Sequence, residues 1–281
     1  MYPIFFRLPE WFPLLGGEPI TSFGVMMLAS FLTGGYVIRA GMVRAGRDPD
    51  HAWDLVFMAV IGGIGGAKLY YVLLNYPQLV EQGAGFLFSR GGLVWYGGFL
   101  GGTALVIWEI RRKKLPLGSM ADIIAPALAL AYAVGRVGCF LVGDDWGRPT
   151  GSWVGIAFPQ GTPPTSVAVI EREFGITVDP ALVEQYGTIV PVHPTQLYEV
   201  GMSTLIFFVL WRLKGHGHTP GWLFMLWLAL AGCERFIVEF FRAKDDRFFG
   251  ALTLAQMISL AIVVVGVVGM QRTRSARGAE A

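Results

Sequence analysis

The sequence of 281 residues is 54% hydrophobic and only 15% charged, and its mean hydropathy is +0.54. This composition excludes an ordinary soluble globular protein, and a net charge of +2 is too small to indicate a nucleic-acid partner. The sequence therefore predicts an all-α polytopic membrane protein, with a single integral membrane domain over residues 1–281.

Seven apolar segments are long enough to cross a bilayer, which takes about 20 mostly apolar residues per helix. They cover residues 20–39, 53–74, 91–110, 119–141, 196–213, 220–241 and 252–271. Ahead of them, residues 1–19 carry prolines and acids where a signal peptide would carry an unbroken apolar run. We interpret that stretch as an interfacial segment, and the chain as one with about seven transmembrane helices.

Lysines and arginines are distributed unevenly between the two ends of these segments. Twelve follow the first, third, fifth and seventh segments, and seven lie at the opposite ends. Because cytoplasmic loops are enriched in Lys and Arg, we expect the N-terminus outside and the C-terminus in the cytoplasm.

The longest connection, residues 142–195, then lies outside as a head insertion between the fourth and fifth spans. It is rich in Pro, Gly and Thr and includes a polar, possibly helical piece around 165–174. A segment of this length is usually a functional lid or binding loop. A passive spacer is the alternative.

Three basic residues lie well inside the apolar segments. Lys68 lies in the second, Arg136 in the fourth and Arg235 in the sixth. With the predicted orientation, Arg136 lies roughly 8 Å and Arg235 roughly 9 Å below the outer boundary, with Lys68 at a similar depth. Charges at membrane depth are costly and usually face a protein interior or a wet cavity. These residues are therefore candidates for a functional site.

The string GRVGCFLVGDDWGRP, residues 135–149, surrounds Arg136 where the fourth segment ends. Its glycines let a backbone or a ligand approach closely. Its other candidate residues are Gly135, Gly138, Cys139, Asp144 and Gly147. Both cysteines of the chain lie in apolar segments, so a disulfide framework is not expected.

The sixth segment carries CERFIVEFFR, in which Arg235 and Glu239 are spaced i,i+4 and can pair on one helical face. An ion pair that only fixes helix register is the alternative. Two arginines and a lysine at one depth, with few acids nearby, predict a surplus of cations. Such a surplus suits a phosphate, which arginine can bind bidentately.

The segment PVHPTQLYE, residues 191–199, returns the chain to the membrane with polar groups at the same level. They are His193, Gln196, Tyr198 and Glu199. Helix capping with an interfacial tyrosine is the alternative. A metal site formed by Asp144, Asp145, His193 and Glu239 is a further alternative. Because no metal-ligand spacing such as HExxH is present, we expect neither a metal nor a cofactor. Paired glycines in 62–71 and 90–102 predict close helix packing, with Tyr96 as a candidate site residue.

These motifs resemble those of the bacterial prolipoprotein diacylglyceryl transferase family. GRVGCFLVGDDWGR resembles the family signature GRxGNFxNxExxG, and HPTQLYE, RFIVEFFR and GGLVWYGGFLGG resemble further family blocks in the same order. The resemblance implies a seven-helix enzyme of the bacterial inner membrane with a periplasmic head and an active site toward the outer leaflet. The implied reaction moves a diacylglyceryl group from phosphatidylglycerol to the lipobox cysteine thiol of a prolipoprotein, the first step of lipoprotein maturation.

The resemblance also implies roles for single residues. Arg136 and Arg235 would hold the phosphodiester, Glu239 would orient Arg235, and Asp144 would bind glycerol hydroxyls or assist deprotonation of the incoming cysteine. Tyr96 would donate a hydrogen bond, because a phenol with pKa near 10 is a poor base at neutral pH.

Several positions depart from the family pattern. Cys139 and Val142 stand where Asn is usual, Asp144 where Glu is usual, Tyr96 where His is usual and Phe23 where Tyr is usual. The alternatives are therefore a paralogue with a different lipid donor or acceptor, and a non-catalytic lipid- or lipoprotein-binding membrane protein. A transporter would carry polar groups in both halves of the bilayer, whereas these cluster in the outer half.

Overall fold

The computed structural model describes residues 2–11, 17–88, 92, 94–243, 247–249 and 252–274. Its elements in order are β1 (Ile4–Arg7), β2 (Pro19–Thr21), α1 (Ser22–Arg44), α2 (His51–Leu74), α3 (Tyr76–Gln82), a 3-10 helix (Gly83–Phe88), α4 (Trp95–Arg112), α5 (Leu117–Val142), α6 (Val167–Phe174), α7 (Pro180–Tyr186), α8 (Thr195–Leu213), α9 (Trp222–Glu239), β3 (Arg247–Phe249), β4 (Leu252–Thr253) and α10 (Leu254–Arg274). The predicted start of the third span at residue 91, and part of the predicted interfacial segment, lie outside the described residues.

Four of these helices are long and apolar enough to cross a membrane. They are α1, α2, α5 and the Leu254–Thr273 part of α10. The prediction of a helical membrane protein is thereby confirmed. The other three predicted spans correspond to α4, α8 and α9, and their crossing of the bilayer stays a prediction.

The chain divides into two compact units, one of residues 1–33 and 125–281 and the other of residues 34–124. In the second unit, α2 and α4 pack backbone against backbone. A Cβ atom added at Gly62 would overlap the carbonyl of Gly101, and one at Gly66 would overlap that of Gly97. The packing role predicted for these glycines is therefore confirmed.

In the first unit, the insertion 142–195 folds around an apolar core of its own. The fully buried members of that core include Trp146, Phe158, Ile170, Val178, Val190 and Val192. Two short helices, α6 and α7, pack on it, and both are capped: Ser166 accepts a hydrogen bond from the Val169 amide, and Asp179 accepts one from the Ala181 amide. The insertion is therefore a folded segment, and its position outside the membrane and its role as a lid, binding loop or passive spacer stay predictions.

Candidate functional site

Arg136, near the end of α5, is the centre of a buried ionic cluster in the first unit. Its guanidinium pairs with Glu199 of α8, and its Nη1 lies 2.9 Å from Oδ2 of Asp145. After α5 ends, Gly143 has φ 70° and Asp145 has φ 54°. The left-handed conformation is uncommon for a residue with a side chain. It turns the chain so that Asp145 returns to Arg136.

The second arginine of the cluster, Arg235 of α9, is held along one edge only. Its Nη2 lies 2.7 Å from Oε2 of Glu239, the i,i+4 pair that the spacing predicts. Glu239 is buried and also accepts a hydrogen bond of 3.3 Å from Thr253. The Arg235 side chain is 36% exposed, and its Nη1 lies 3.9 Å from Glu199, beyond hydrogen-bond distance. Glu239 thus orients a guanidinium that keeps donors for another partner.

A third arginine, Arg242, belongs to the same cluster and was counted in the sequence only as a basic residue of the outer face. Its Nη2 lies 3.0 Å from Oδ1 of Asp145, and its Nε lies 3.8 Å from Oε2 of Glu239. Its carbonyl accepts a hydrogen bond of 3.1 Å from Arg148 Nε. A signal for it existed, because Arg242 follows Glu239 by three residues.

Acids match the arginines in this cluster. Arg136, Arg235 and Arg242 face Asp145, Glu199 and Glu239 among the described residues. The predicted surplus of cations is therefore wrong for this unit, because Asp145 and Glu199 come from other elements and their spacing in the sequence conceals the pairing. The Nε atoms of Arg136 and Arg242 nevertheless lie buried with no hydrogen-bond partner in the described part of the chain. An anion would bind through donors such as these.

The pKa values of the two adjacent aspartates, Asp144 and Asp145, are shifted in opposite directions. Burial acts to raise the pKa of Asp145, but Arg242 and Arg136 outweigh it and hold that pKa at about 2. Burial raises the pKa of Asp144 above its ordinary value, and its Oδ1 is buried with no hydrogen-bond partner among the described residues. Gln196, which is fully buried, donates to the backbone carbonyl of Asp144 and fixes this segment. Asp145 is thus paired with the arginines, whereas the Asp144 side chain has a hydrogen bond with Cys139 and leaves Oδ1 without one in the described part of the chain.

Cys139 lies at the inner edge of the cluster, where its Sγ is 3.4 Å from Nη1 of Arg136. Cys139, Asp144 and Asp145 could each offer one ligand atom to a metal, since those atoms lie within 4.8 Å of one another. However, Asp145 is engaged by two arginines, and a cation here would be repelled by the adjoining guanidinium. The residues present do not fit a metal well.

The side chains of His193 and Tyr198 contact each other, and neither pairs with an arginine side chain among the described residues. Nδ1 of His193 lies 3.0 Å from the Tyr198 hydroxyl, and the two rings pack on Phe241. Burial lowers the pKa of His193. A Cβ atom added at Gly147 would overlap the Phe241 carbonyl and the His193 side chain. These three predicted binding residues brace the backbone that carries Asp145 and Arg242.

Gly135 and Gly138 face α1 rather than the ionic cluster. A Cβ atom added at Gly138 would lie 3.0 Å from that of Met26, and one at Gly135 would lie 3.9 Å from the Ser30 hydroxyl. Gly138 therefore allows close helix packing. A binding role for either glycine stays a prediction.

Two further polar residues were not predicted. The Tyr132 hydroxyl donates a hydrogen bond of 2.9 Å to Glu199, and its ring lies 5.9 Å from the Arg136 guanidinium. Its position one turn before Arg136 was the available signal. Glu234 is buried, and its two carboxylate oxygens lie 2.7 and 2.8 Å from the Ser203 hydroxyl.

Lys68 and Tyr96 belong to the second unit. Lys68 Nζ lies 5.3 Å from the centre of the Tyr71 ring and 5.8 Å from that of Phe86. Tyr96 is exposed at the start of α4, and its ring lies edge-on to Trp95. Their roles in binding or catalysis stay predictions.

Comparison with known proteins shows what the whole chain is similar to. Residues 9–272 match the family model described as prolipoprotein diacylglyceryl transferase. The phosphatidylglycerol–prolipoprotein diacylglyceryl transferase of Stenotrophomonas maltophilia is 31% identical to the chain, over 93% of the chain and 90% of the relative. The enzyme of the same name from Clostridium tetani is 28% identical over 92% and 95%, and that from Proteus mirabilis is 29% identical over 95% and 93%.

Proposed function

The chain belongs to the prolipoprotein diacylglyceryl transferase family, and on that premise we propose that its arginine cluster binds the phosphodiester of phosphatidylglycerol for transfer of the diacylglyceryl group to a prolipoprotein cysteine. The observation that carries this proposal is the set of arginine donors left without hydrogen bonds. Glu239 holds Nη2 of Arg235 at 2.7 Å, whereas Nη1 has only an ion pair of 3.9 Å with Glu199. Nε of Arg136 and Nε of Arg242 are buried without a hydrogen bond among the described residues.

The reaction is a displacement at a glyceryl carbon of the lipid. The cysteine sulfur forms a bond to that carbon, the bond between the carbon and the phosphate oxygen breaks, and its electron pair leaves with glycerol phosphate. The negative charge that develops on the phosphate oxygen is stabilised by Arg136 and Arg235, the usual role of preorganised donors aimed at a developing charge.

The acids of the cluster position the arginines for this role. Glu199, itself held by the Tyr132 hydroxyl, and Asp145 fix two edges of the Arg136 guanidinium. Glu239 fixes Arg235 in the same way. Because the guanidinium groups are held before the lipid arrives, little reorganisation is needed when the phosphate charge develops.

The thiol proton needs no dedicated histidine. A cysteine thiol has a pKa of about 8.5, and neighbouring arginines favour the thiolate. The proton then leaves to water. Tyr96, where the family pattern has a histidine, is proposed to donate a hydrogen bond rather than to accept the proton.

The membrane topology follows from the same proposal. We place α4, α8 and α9 across the bilayer with the four helices of sufficient length and hydropathy, giving seven spans. The N-terminus lies outside, the C-terminus lies in the cytoplasm, and the head 142–195 lies in the periplasm as part of one membrane domain. Glycerol phosphate then leaves on the periplasmic side, and the site serves outer-leaflet lipid of the inner membrane.

The test is direct transfer. Purified protein is incubated with phosphatidylglycerol vesicles and a lipobox peptide, and the peptide is examined by mass spectrometry. We expect a gain of one diacylglyceryl mass that disappears with a Cys→Ser peptide. No gain, while the Proteus mirabilis enzyme is active in parallel, would contradict the proposal and favour a different donor or acceptor or a binding role.

A further inference from the structure

We propose that Thr253 is a positioning residue for Arg235. Its hydroxyl holds one oxygen of Glu239, so that this carboxylate binds Arg235 through its other oxygen alone and leaves arginine donors for the phosphate. Thr253 is buried at the end of β4, directly before α10 begins. This inference rests on the proposed function and goes beyond it, because it adds a residue next to α10 that acts on the arginine through Glu239.

The start of α10 fixes the direction of the Thr253 hydroxyl. The Gln256 backbone amide donates a hydrogen bond of 3.1 Å to Thr253 Oγ1, and the Gln256 side-chain Oε1 accepts one of 3.0 Å from the Thr253 amide. This reciprocal pair is a capping box, in which the threonine oxygen serves as an acceptor. The hydroxyl has one proton to donate, and that proton is left for Glu239 Oε1, which lies at 3.3 Å.

Close packing of α10 on α9 keeps Thr253 level with Glu239. A Cβ atom added at Gly232 of α9 would lie 2.9 Å from the Ser259 carbonyl oxygen, and one added at Gly266 of α10 would meet the α9 backbone at 2.7 Å. Small residues let the two backbones come this close. Because the backbones are in direct contact at two levels, neither helix can slide along the other without a clash.

The two oxygens of Glu239 consequently have different partners. Oε2 lies 2.7 Å from Arg235 Nη2 and 3.8 Å from Arg242 Nε, whereas Oε1 accepts the hydrogen bond from Thr253. A carboxylate that is free to rotate can bind a guanidinium with both oxygens, an arrangement that is frequent in arginine–carboxylate pairs. Two parallel hydrogen bonds of this kind would occupy two donors of Arg235.

The second unit contains an example of that alternative. Both oxygens of Glu109 bind one guanidinium, with Nε and Nη2 of Arg112 at 2.7 and 2.8 Å. The Thr253 hydroxyl opposes the same arrangement at Glu239, since rotation of the carboxylate would break its hydrogen bond. Glu239 therefore orients Arg235 without using the donors that a phosphate needs.

The experiment replaces Thr253 in the full-length protein and measures two quantities. One is the rate of diacylglyceryl transfer, and the other is the rise in unfolding temperature caused by inorganic phosphate in detergent, which reports anion binding without transfer. Thr253→Val removes the hydroxyl with little change in shape. We expect transfer to fall about tenfold, the order for a hydrogen bond to a charged group, and the effect of phosphate to shrink. Thr253→Ser keeps the hydroxyl and should preserve both quantities.

A matched control separates the loss of a helix cap from the loss of the hydrogen bond to Glu239. Thr253→Val also removes the N-cap of α10. Ser166→Ala removes the N-cap of α6, where the serine oxygen accepts from the Val169 amide, so it should lower the unfolding temperature and leave transfer unchanged. Thr253→Gly removes the same hydroxyl, and glycine is tolerated at an N-cap, so this variant reports if the valine variant folds poorly.

A double variant tests whether Thr253 acts through Arg235. Lysine has a single side-chain nitrogen and cannot present two donors in one plane to a carboxylate. In the Arg235→Lys background, Thr253→Val should therefore lower transfer little further. A purely structural role of Thr253 would give the same tenfold loss in both backgrounds, as independent sites do.

Three results would overturn the inference. One is an unchanged rate together with an unchanged effect of phosphate in both variants that lack the hydroxyl. Another is a Thr253→Ser variant as impaired as Thr253→Val, and the third is an equal loss of transfer in the native and Arg235→Lys backgrounds. Absence of any transfer by the native protein would instead contradict the proposed function, and the phosphate measurement would then decide the role of Thr253 alone.

Discussion

The two compact units each contain an ionic cluster around a buried glutamate, and the hydrogen bonds of the two clusters are satisfied to different degrees. In residues 34–124, the fully buried Glu109 accepts hydrogen bonds of 2.7 and 2.8 Å from Nε and Nη2 of Arg112. Lys113 lies 3.5 Å from the same carboxylate and 2.7 Å from Asp54. Both oxygens of Glu109 are engaged, so this network is closed.

The cluster around Arg136 is open by comparison. Its arginines and acids are paired, yet Nε of Arg136, Nε of Arg242 and Oδ1 of Asp144 lie buried without a hydrogen bond in the part of the chain that the structure describes. Buried polar groups are nearly always hydrogen-bonded, so each exception needs an explanation. We infer that the closed cluster around Glu109 stabilises the fold and that the open cluster around Arg136 binds a ligand.

The largest effect is expected from Arg136→Ala. It removes a phosphate-binding group and also leaves buried Glu199 without its main cationic partner. Breaking a buried ion pair costs about 3–5 kcal/mol, so both transfer and stability should be lost. Thermal unfolding in detergent together with the peptide assay checks this. Transfer that survives would exclude Arg136 from the phosphate site.

Arg235→Ala should separate the two effects. Buried Glu239 keeps Thr253 and Arg242 as neighbours, so the loss of Arg235 should lower transfer by about 10²–10³-fold with a smaller fall in the unfolding temperature than Arg136→Ala causes. Arg235→Lys keeps the positive charge but lacks the planar guanidinium that can donate two parallel hydrogen bonds, so it should restore only part of the rate. Arg212→Ala, an exposed change at the end of α8, is the control. Equal activity of the Ala variant and the native protein would contradict the proposed clamp.

Arg112→Ala tests the closed cluster. Among the described residues it leaves the buried Glu109 with Lys113 as its one cationic partner, so the unfolding temperature should fall while the transfer rate of the folded protein is unchanged. The same assays as for Arg136→Ala measure both quantities. A loss of transfer that exceeds the loss of folded protein would mean that the closed cluster also serves the reaction.

The sequence predicts the ion pairs that form within one helix and misses those that form between different elements of the fold. Arg235 and Glu239 lie on one helix, so their spacing is enough to pair them, and apolar runs are enough to locate the helices. Asp145 reaches Arg136 only because the chain after α5 adopts two left-handed residues, and Arg242 reaches Asp145 only when the end of α9 packs beside that turn. Contacts between elements of this kind leave no periodic signal in the sequence.

A smaller effect is expected from the pH dependence of Asp145. Its pKa of about 2 in the folded protein lies below its ordinary value because Arg242 and Arg136 favour the charged form over the cost of burial. A depressed pKa contributes stability that is present above the ordinary pKa, near 4, and is lost as the pH falls toward 2. Asp145→Asn should flatten that part of the acid unfolding curve. Identical curves for the native protein and Asp145→Asn would show that the two arginines do not stabilise this carboxylate.

The smallest effect is expected from Cys139→Asn. The Cys139 thiol lies 3.4 Å from Nη1 of Arg136 and is a weak hydrogen-bond partner for it. An asparagine carbonyl at this position is a stronger acceptor, and its Oδ1 can reach the same guanidinium, although its three heavy atoms beyond Cβ need more space than the sulfur of the buried Cys139. It should therefore hold Arg136 at least as well, so we expect transfer unchanged or increased by up to about tenfold.

Cys139→Ala, which removes the partner without replacing it, is the matched control and should not increase the rate. A strong loss of transfer in Cys139→Asn, with an unchanged unfolding temperature, would mean that the open cluster depends on the thiol itself. The departure from the family pattern would then mark a different chemistry rather than a substitution at the edge of the same site.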